Sequence, residues 1–155
     1  MGSLFSQRAD GRQRLQLEQQ AYGYADVLRL DPEGRVLLAA TETPEPVDAA
    51  TRQAIAAALA QRGPVFSDFH RSPQGQIYLD TVAPVADAEE RPLALLALRS
   101  AAAAYLYPLI QSWPTPSRSA ETLLVRREGE EIVFLNELRH RAKTALSLRQ
   151  PLTLT

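Results

Sequence analysis

The chain has 155 residues, 45% of them hydrophobic, and a formal net charge of -1, which suits an ordinary globular domain with a buried core and argues against a duplex-sized nucleic-acid footprint. It has no cysteine and only two histidines, His70 and His140, so thiolate zinc sites and cysteine nucleophiles are excluded, and neither a histidine-rich metal site nor a cofactor is expected. No apolar run approaches the roughly 20 residues of a membrane helix, and the polar start MGSLFSQRADGRQRLQLEQQ does not read as a signal peptide.

In chain order, residues 1–21 predict an N-terminal helix with a thin apolar stripe (Leu4, Leu15, Leu17). A stripe that narrow suits a surface helix lying against the sheet or the outer end of a longer helix that pairs with a second chain. Tyr24–Leu30 and Arg35–Ala40 predict a hairpin around Asp31-Pro32-Glu33-Gly34, with Pro presetting the turn and Gly taking the positive φ. DAATRQAIAAALAQRG predicts a helix capped by Asp48, with Ile55 and Leu59 facing the core and Gly63 as its left-handed terminator. Val65–Arg99 predicts three antiparallel strands with turns at SPQG and DAEERP, the middle strand alternating with a period of two. Ala101–Trp113 predicts a helix kinked at Pro108, its aromatic residues Tyr105, Tyr107 and Trp113 packing a junction before the WPTPS boundary. A second hairpin around Glu128-Gly129 repeats the logic of the first, and the tail after it has no long apolar segment. The sum is an α+β fold: a five-stranded antiparallel sheet with its helices on one side.

YADVLRLDPEGRVLLAA, the strand IYLDTVAPV and the segment YLYPLIQSWPTPSRSAETLLVRREGEEIVFLNELRHR together resemble the extracytoplasmic PAS-like (Cache-type) sensor region of bacterial receptors. Such regions precede histidine-kinase or GGDEF diguanylate-cyclase output domains. The resemblance implies one PAS-like sensor unit over 22–116 and the start of a second, truncated unit over 117–155. It also implies a homodimer joined through the N-terminal helix, a periplasmic location and inner-membrane segments outside this chain. The Arg-x-Trp-Tyr run of amino-acid-binding Cache domains is absent; Tyr78-x-Asp80 is similar only to the acidic end of that pattern.

Pairing residue 70 with 76 would place Asp68 opposite Tyr78 and Phe66 opposite Asp80. Asp68, His70, Tyr78 and Asp80 then share a face, with Arg99 beside them on the next strand. Carboxylates, an imidazole, a phenol and a guanidinium gathered in this way predict a site for a polar or cationic small molecule, since buried charges must be paired or hydrogen-bonded. A register slip of one residue would scatter them. No catalytic function is expected, because neighbouring residues of one strand point to opposite faces and Ser67 is kept from His70. Arg139-His140-Arg141 with Lys143 reads as a solvated basic turn or as an anion-binding or inter-unit contact.

Overall fold

The computed structural model describes residues 2–111 and 121–153. The chain forms two compact units, residues 1–101 and 102–155. Among the described residues the first combines an antiparallel sheet with two helices and the second an antiparallel sheet with one short helix, an α+β architecture. Among the described residues no helix is long and apolar enough to cross a membrane.

The first unit contains α1 (Gly2–Tyr22), β1 (Asp26–Leu30), β2 (Val36–Ala39), α2 (Ala49–Gln61), β3 (Val65–Phe66), β4 (His70–Arg71), β5 (Ile77–Ala86) and β6 (Pro92–Ala101). Its sheet runs β2-β1-β6-β5-β3, with β4 also paired to β5, so it has six strands rather than the expected five. The sixth arises because the strand expected from Val65 is broken at residues 67–69. Phe66 pairs with Thr81 and His70 with Tyr78, so three residues on one side oppose two on the other. An extra residue of this kind bends a strand and interrupts its ladder.

The helices lie on opposite faces of the sheet, not on one. Alternation along β1 and β6 sends Leu28, Leu30, Leu95 and Ala97 to the face where Ala54, Ile55 and Ala58 of α2 complete the core. Val27, Leu96 and Leu98 point the other way and share a groove with Leu15, Glu18 and Tyr22 of α1. Gly11 lets α1 approach closely, since a Cβ there would lie 2.9 Å from Leu38 Cδ2. Asp48 caps α2 by accepting from Thr51 N at 2.8 Å. The left-handed residue that ends α2 is Arg62 (φ 53), one position before the glycine expected to do so.

Three hairpins of this unit use one turn geometry. In Asp31–Arg35, Ser72–Gln76 and Asp87–Arg91 the first residue's N–H donates to the last residue's carbonyl (3.0, 2.8 and 3.0 Å). The fourth position is left-handed each time: Gly34, Gly75 and, unexpectedly, Glu90 (φ 63). Asp31 and Asp87 also latch their turns alike, accepting from the Nε of Arg35 at 2.6 Å and of Arg91 at 2.7 Å. The internal likeness foreseen between DPEG and the Glu128-Gly129 hairpin is therefore closer between DPEGR and DAEER.

The second unit holds α3 (Leu106–Gln111) and a three-stranded sheet of β7 (Val125–Glu128), β8 (Glu131–Phe134) and β9 (Arg149–Pro151). Ala101 belongs to strand β6, so the helix expected from that residue starts only at Leu106. Pro108 then falls in the first helical turn, where its missing N–H costs nothing and no kink is forced. Tyr107 is buried and donates to the carbonyl of Leu135 at 2.6 Å, whereas Tyr105 is exposed. Trp113 and the WPTPS boundary lie outside the described residues. Buried Asn136 accepts from Leu124 N at 2.6 Å and donates to Thr122 O and Glu137 O. Strand β9 was not foreseen: its three residues, RQP, are all exposed and carry no apolar pattern.

Candidate functional site

Register assembles the centre of the first unit. Arg99 on β6 lies opposite Asp26 on β1 and opposite Asp80 on β5, so a guanidinium sits between two carboxylates across three neighbouring strands. All three are buried. Charges in such a place must be paired or hydrogen-bonded, and each of these is. Arg99 Nε donates to Asp80 Oδ1 at 2.9 Å and Nη2 to Oδ2 at 2.8 Å, a two-pronged pair. Asp26 accepts from Val27 N at 2.8 Å, Thr41 N at 3.1 Å and Thr41 Oγ1 at 2.5 Å. Burial pulls the Arg99 guanidinium downward, but its hydrogen bonds and attraction to Asp80, helped by Glu45 and Asp26, outweigh burial and hold its pKa above the usual value.

Around this row stand the polar groups of α2 and of the segment before it. Thr51 Oγ1 lies 2.7 Å from Asp80 Oδ2 and 2.9 Å from Asp48 Oδ1. Arg99 Nη1 reaches the Glu45 carbonyl at 3.4 Å, and Arg99 Cζ lies 5.3 Å from the Tyr78 ring centroid, within cation–π range. The Tyr78 hydroxyl donates to Glu45 Oε1 at 3.5 Å. Burial, then the Glu45 charge, raise the phenol above its ordinary value despite the opposing Arg99.

Of the predicted site residues, His70, Tyr78, Asp80 and Arg99 come together and Asp68 does not. The SPQG turn is tighter than expected. Its ladder closes on Ser72 and Gln76, which pairs His70 with Tyr78 instead of Gln76. A slip of two residues preserves the faces, so His70 stays beside Tyr78, with ring centroids 6.1 Å apart, and beside Asp80. The extra residue at 67–69 undoes the rest: Phe66 meets Thr81 rather than Asp80, and Asp68 turns outward, exposed, accepting from Phe69 N at 2.9 Å. Ser67 turns in, its hydroxyl accepting from Asp80 N at 2.9 Å and donating to the Asp68 carbonyl.

Two cavities flank the row and share Glu45 and Arg99. One, about 310 Å³, lies between Glu45, Pro46 and Asp48 on one wall and His70, Ser72 and Pro73 on the other. The second, about 140 Å³, adjoins Asp26, Thr41 and Tyr78. The larger cavity has a mostly apolar wall with a few fixed charges at its floor, which is what orients a small polar molecule. Among the described residues no group of three or more Asp, Glu or His is arranged to hold a metal ion. Residues 139–141 and Lys143 are exposed in a turn of the second unit.

Asp26, Thr41, Glu45, Asp48 and Thr51 were not foreseen as site residues. Asp26 carried a signal, a lone carboxylate inside the apolar strand YADVLRL. Asp48 was legible only as a helix cap; that its second oxygen faces His70 depends on packing between distant segments. No protein-family model matches the chain, and none of the curated proteins compared with it does.

Proposed function

We propose that the first unit is the sensing part of a bacterial transmembrane signalling receptor, a PAS-like (Cache-type) module facing the periplasm, and that the second unit begins a further module of that kind. The observation that carries the reading is the buried Asp26–Arg99–Asp80 row, which forms a charged floor beneath two cavities at the sheet face. A small polar molecule between Glu45, Asp48 and Arg99 would bias the arrangement of sheet and helices, a population shift worth about 1–3 kcal/mol. Contacts run from that face to α1: Gln16 donates to the Ala40 carbonyl at 3.2 Å and Gln19 to the Ala25 carbonyl at 2.9 Å. Ala40 and Ala25 adjoin Thr41 and Asp26, which are hydrogen-bonded to each other. Leu17 (61% exposed) and Tyr22 (69%) lie uncovered on α1, which supports pairing of α1 with a second copy. Kinase or cyclase output, and the membrane segments, belong to the full-length protein.

The test is a thermal-shift screen of small polar and cationic molecules, because binding to the native state raises the melting temperature. A hit that loses its shift in Glu45→Gln or Asp48→Asn supports the reading. A hit indifferent to both removes this cavity. The second reading, a PAS-like protein-interaction module without a small ligand, is favoured by the internal satisfaction of the Asp26 and Asp80 carboxylates. A screen without hits, together with a full gene lacking flanking membrane segments, would select it.

A further inference from the structure

The larger cavity of the first unit has acceptors on its walls and few donors to meet them. Glu45 is half-buried, and among the described residues its carboxylate accepts only from the Tyr78 hydroxyl, at 3.5 Å, the outer limit of a hydrogen bond. Asp48 receives its donors, Thr51 N at 2.8 Å and Thr51 Oγ1 at 2.9 Å, on Oδ1. Its Oδ2 looks across to the opposite wall, where His70 Nδ1 stands 3.8 Å away, beyond hydrogen-bond length. His70 lines the same cavity with a side chain 7% exposed and an Nε2 that has no hydrogen-bond partner. Its Nδ1 lies 3.3 Å from the Asp68 carbonyl, so the ring hydrogen is assigned there and Nε2 is one more acceptor without a donor. Half-buried carboxylates with so few donors lose solvation unless something in the cavity supplies N–H groups and positive charge.

We propose that this cavity is the site of a small organic ammonium ion, its N–H groups on Glu45 and Asp48 and its carbon skeleton against Pro46 and Pro73. The proposal rests on the reading of the cavity as a ligand site and names the class of ligand.

The surrounding charges decide the sign of the ligand. Arg99 lines the cavity, but its Nε and Nη2 are committed to Asp80, and Asp26 lies on its other side. Arg71 is exposed and donates through Nη1 to the Gly75 carbonyl at 3.0 Å, within its own turn. The positive end of α2, which would otherwise attract an anion, is capped by Asp48 itself. With Arg99 balanced by Asp80, Glu45 and Asp48 outnumber Arg71, and buried Asp26 adds negative charge beside Glu45 in the smaller cavity. A carboxylate or phosphate would be repelled by this set, whereas an ammonium ion is drawn to it. A metal ion fits less well, because among the described residues no three Asp, Glu or His side chains are arranged to hold one. A volume of about 310 Å³ is at the small end of ligand pockets, which run from about 300 Å³ upwards. The skeleton is therefore that of a small amine, and the two proline rings give it apolar surface without adding an N–H.

The experiment titrates the full chain at neutral pH and low salt with butyl and phenylethyl skeletons, each carrying an ammonium, a hydroxyl or a carboxylate group, and follows backbone amide NMR shifts. The ammonium members are expected to saturate, to shift residues 45–51 and 70–73, and to bind about tenfold more tightly than the alcohols and carboxylates. Glu45→Gln and Asp48→Asn should each weaken them about tenfold, the loss of one charge-assisted hydrogen bond. Asparagine caps a helix as well as aspartate does, so Asp48→Asn keeps α2. Asp68→Asn, at an exposed carboxylate outside the cavity, should leave the affinity unchanged. Ammonium binding that survives both cavity variants, or weakens equally in Asp68→Asn, places the ion elsewhere and overturns the proposal. Alcohols or carboxylates that bind as tightly and give the same amide shifts overturn the ammonium class and leave the ligand site standing. Should no compound bind, both fall.

Discussion

Asp80 and Arg99 face each other across β5 and β6 and are joined by two hydrogen bonds of 2.9 and 2.8 Å with essentially no exposure to solvent. A pair so placed costs the fold little while both partners are present and a great deal when one is removed. Arg99→Ala strands the Asp80 carboxylate and is expected to lose about 3–5 kcal/mol of unfolding free energy. Arg99→Met combined with Asp80→Leu removes both charges, and chemical denaturation should find it more stable than Arg99→Ala. A double variant as unstable as the single one would show that the pair holds more than its own charges in place.

Glu90 occupies a left-handed position that glycine fills in the two sister turns. Glu90→Gly should raise stability by about 0.5–1 kcal/mol, since a side chain at positive φ is strained there, less whatever the exposed ion pair with Arg62 contributes. Gly34→Ala should do the opposite. Its φ is +82 and the new Cβ would lie 3.2 Å from Ile55 Cδ1 in the core. Denaturation midpoints of the two variants on either side of wild type are the expected result.

Asp31 and Asp87 both have pKa values below the ordinary aspartate range. For Asp31, burial acts upward and is outweighed by the Arg35 backbone N–H and guanidinium; for Asp87, the Arg91 backbone N–H is the foremost cause. A depressed folded value means stability that is present above the unfolded pKa and lost as pH falls through the folded one. Asp31→Asn and Asp87→Asn should therefore be less stable than wild type at neutral pH. The gap should close below the usual aspartate value of 3.8, as read from melting temperatures across the acid range.

Tyr78 behaves oppositely at the alkaline end. Its phenol is raised above the ordinary 10.0 by burial and then by Glu45, so the folded state keeps a proton that the unfolded chain gives up. Stability should fall as pH rises past that value. Phenolate absorbance should include a late-titrating component that moves earlier in Glu45→Gln.

Legibility in the sequence followed the range of the interactions. Helix α2, its cap and the first hairpin rest on contacts within a few residues, and Asp48, the alanine run and DPEG carried those signals. The coincidence of His70, Tyr78, Asp80 and Arg99 was legible from period-two alternation, because a two-residue error in register leaves faces unchanged. Asp68 was misplaced because a one-residue irregularity at 67–69 has no local marker; it is set by Ser67 bonding to the Asp80 backbone across the ladder. That α1 takes the opposite face from α2 was missed because α1 is so polar that its packing depends on Gly11, an unmarked gap in the helix.

The irregularity at 67–69 has one more consequence. An exposed edge strand offers a row of free amides and carbonyls on which another chain can add a strand, the usual route to aggregation. Here the β3/β4 edge is cut into two pieces of two residues each, and the opposite edge, β2, is four residues long. Neither supports an extended intermolecular ladder. The first unit's sheet can therefore change shape with little risk of adding strands from a neighbour at these two edges.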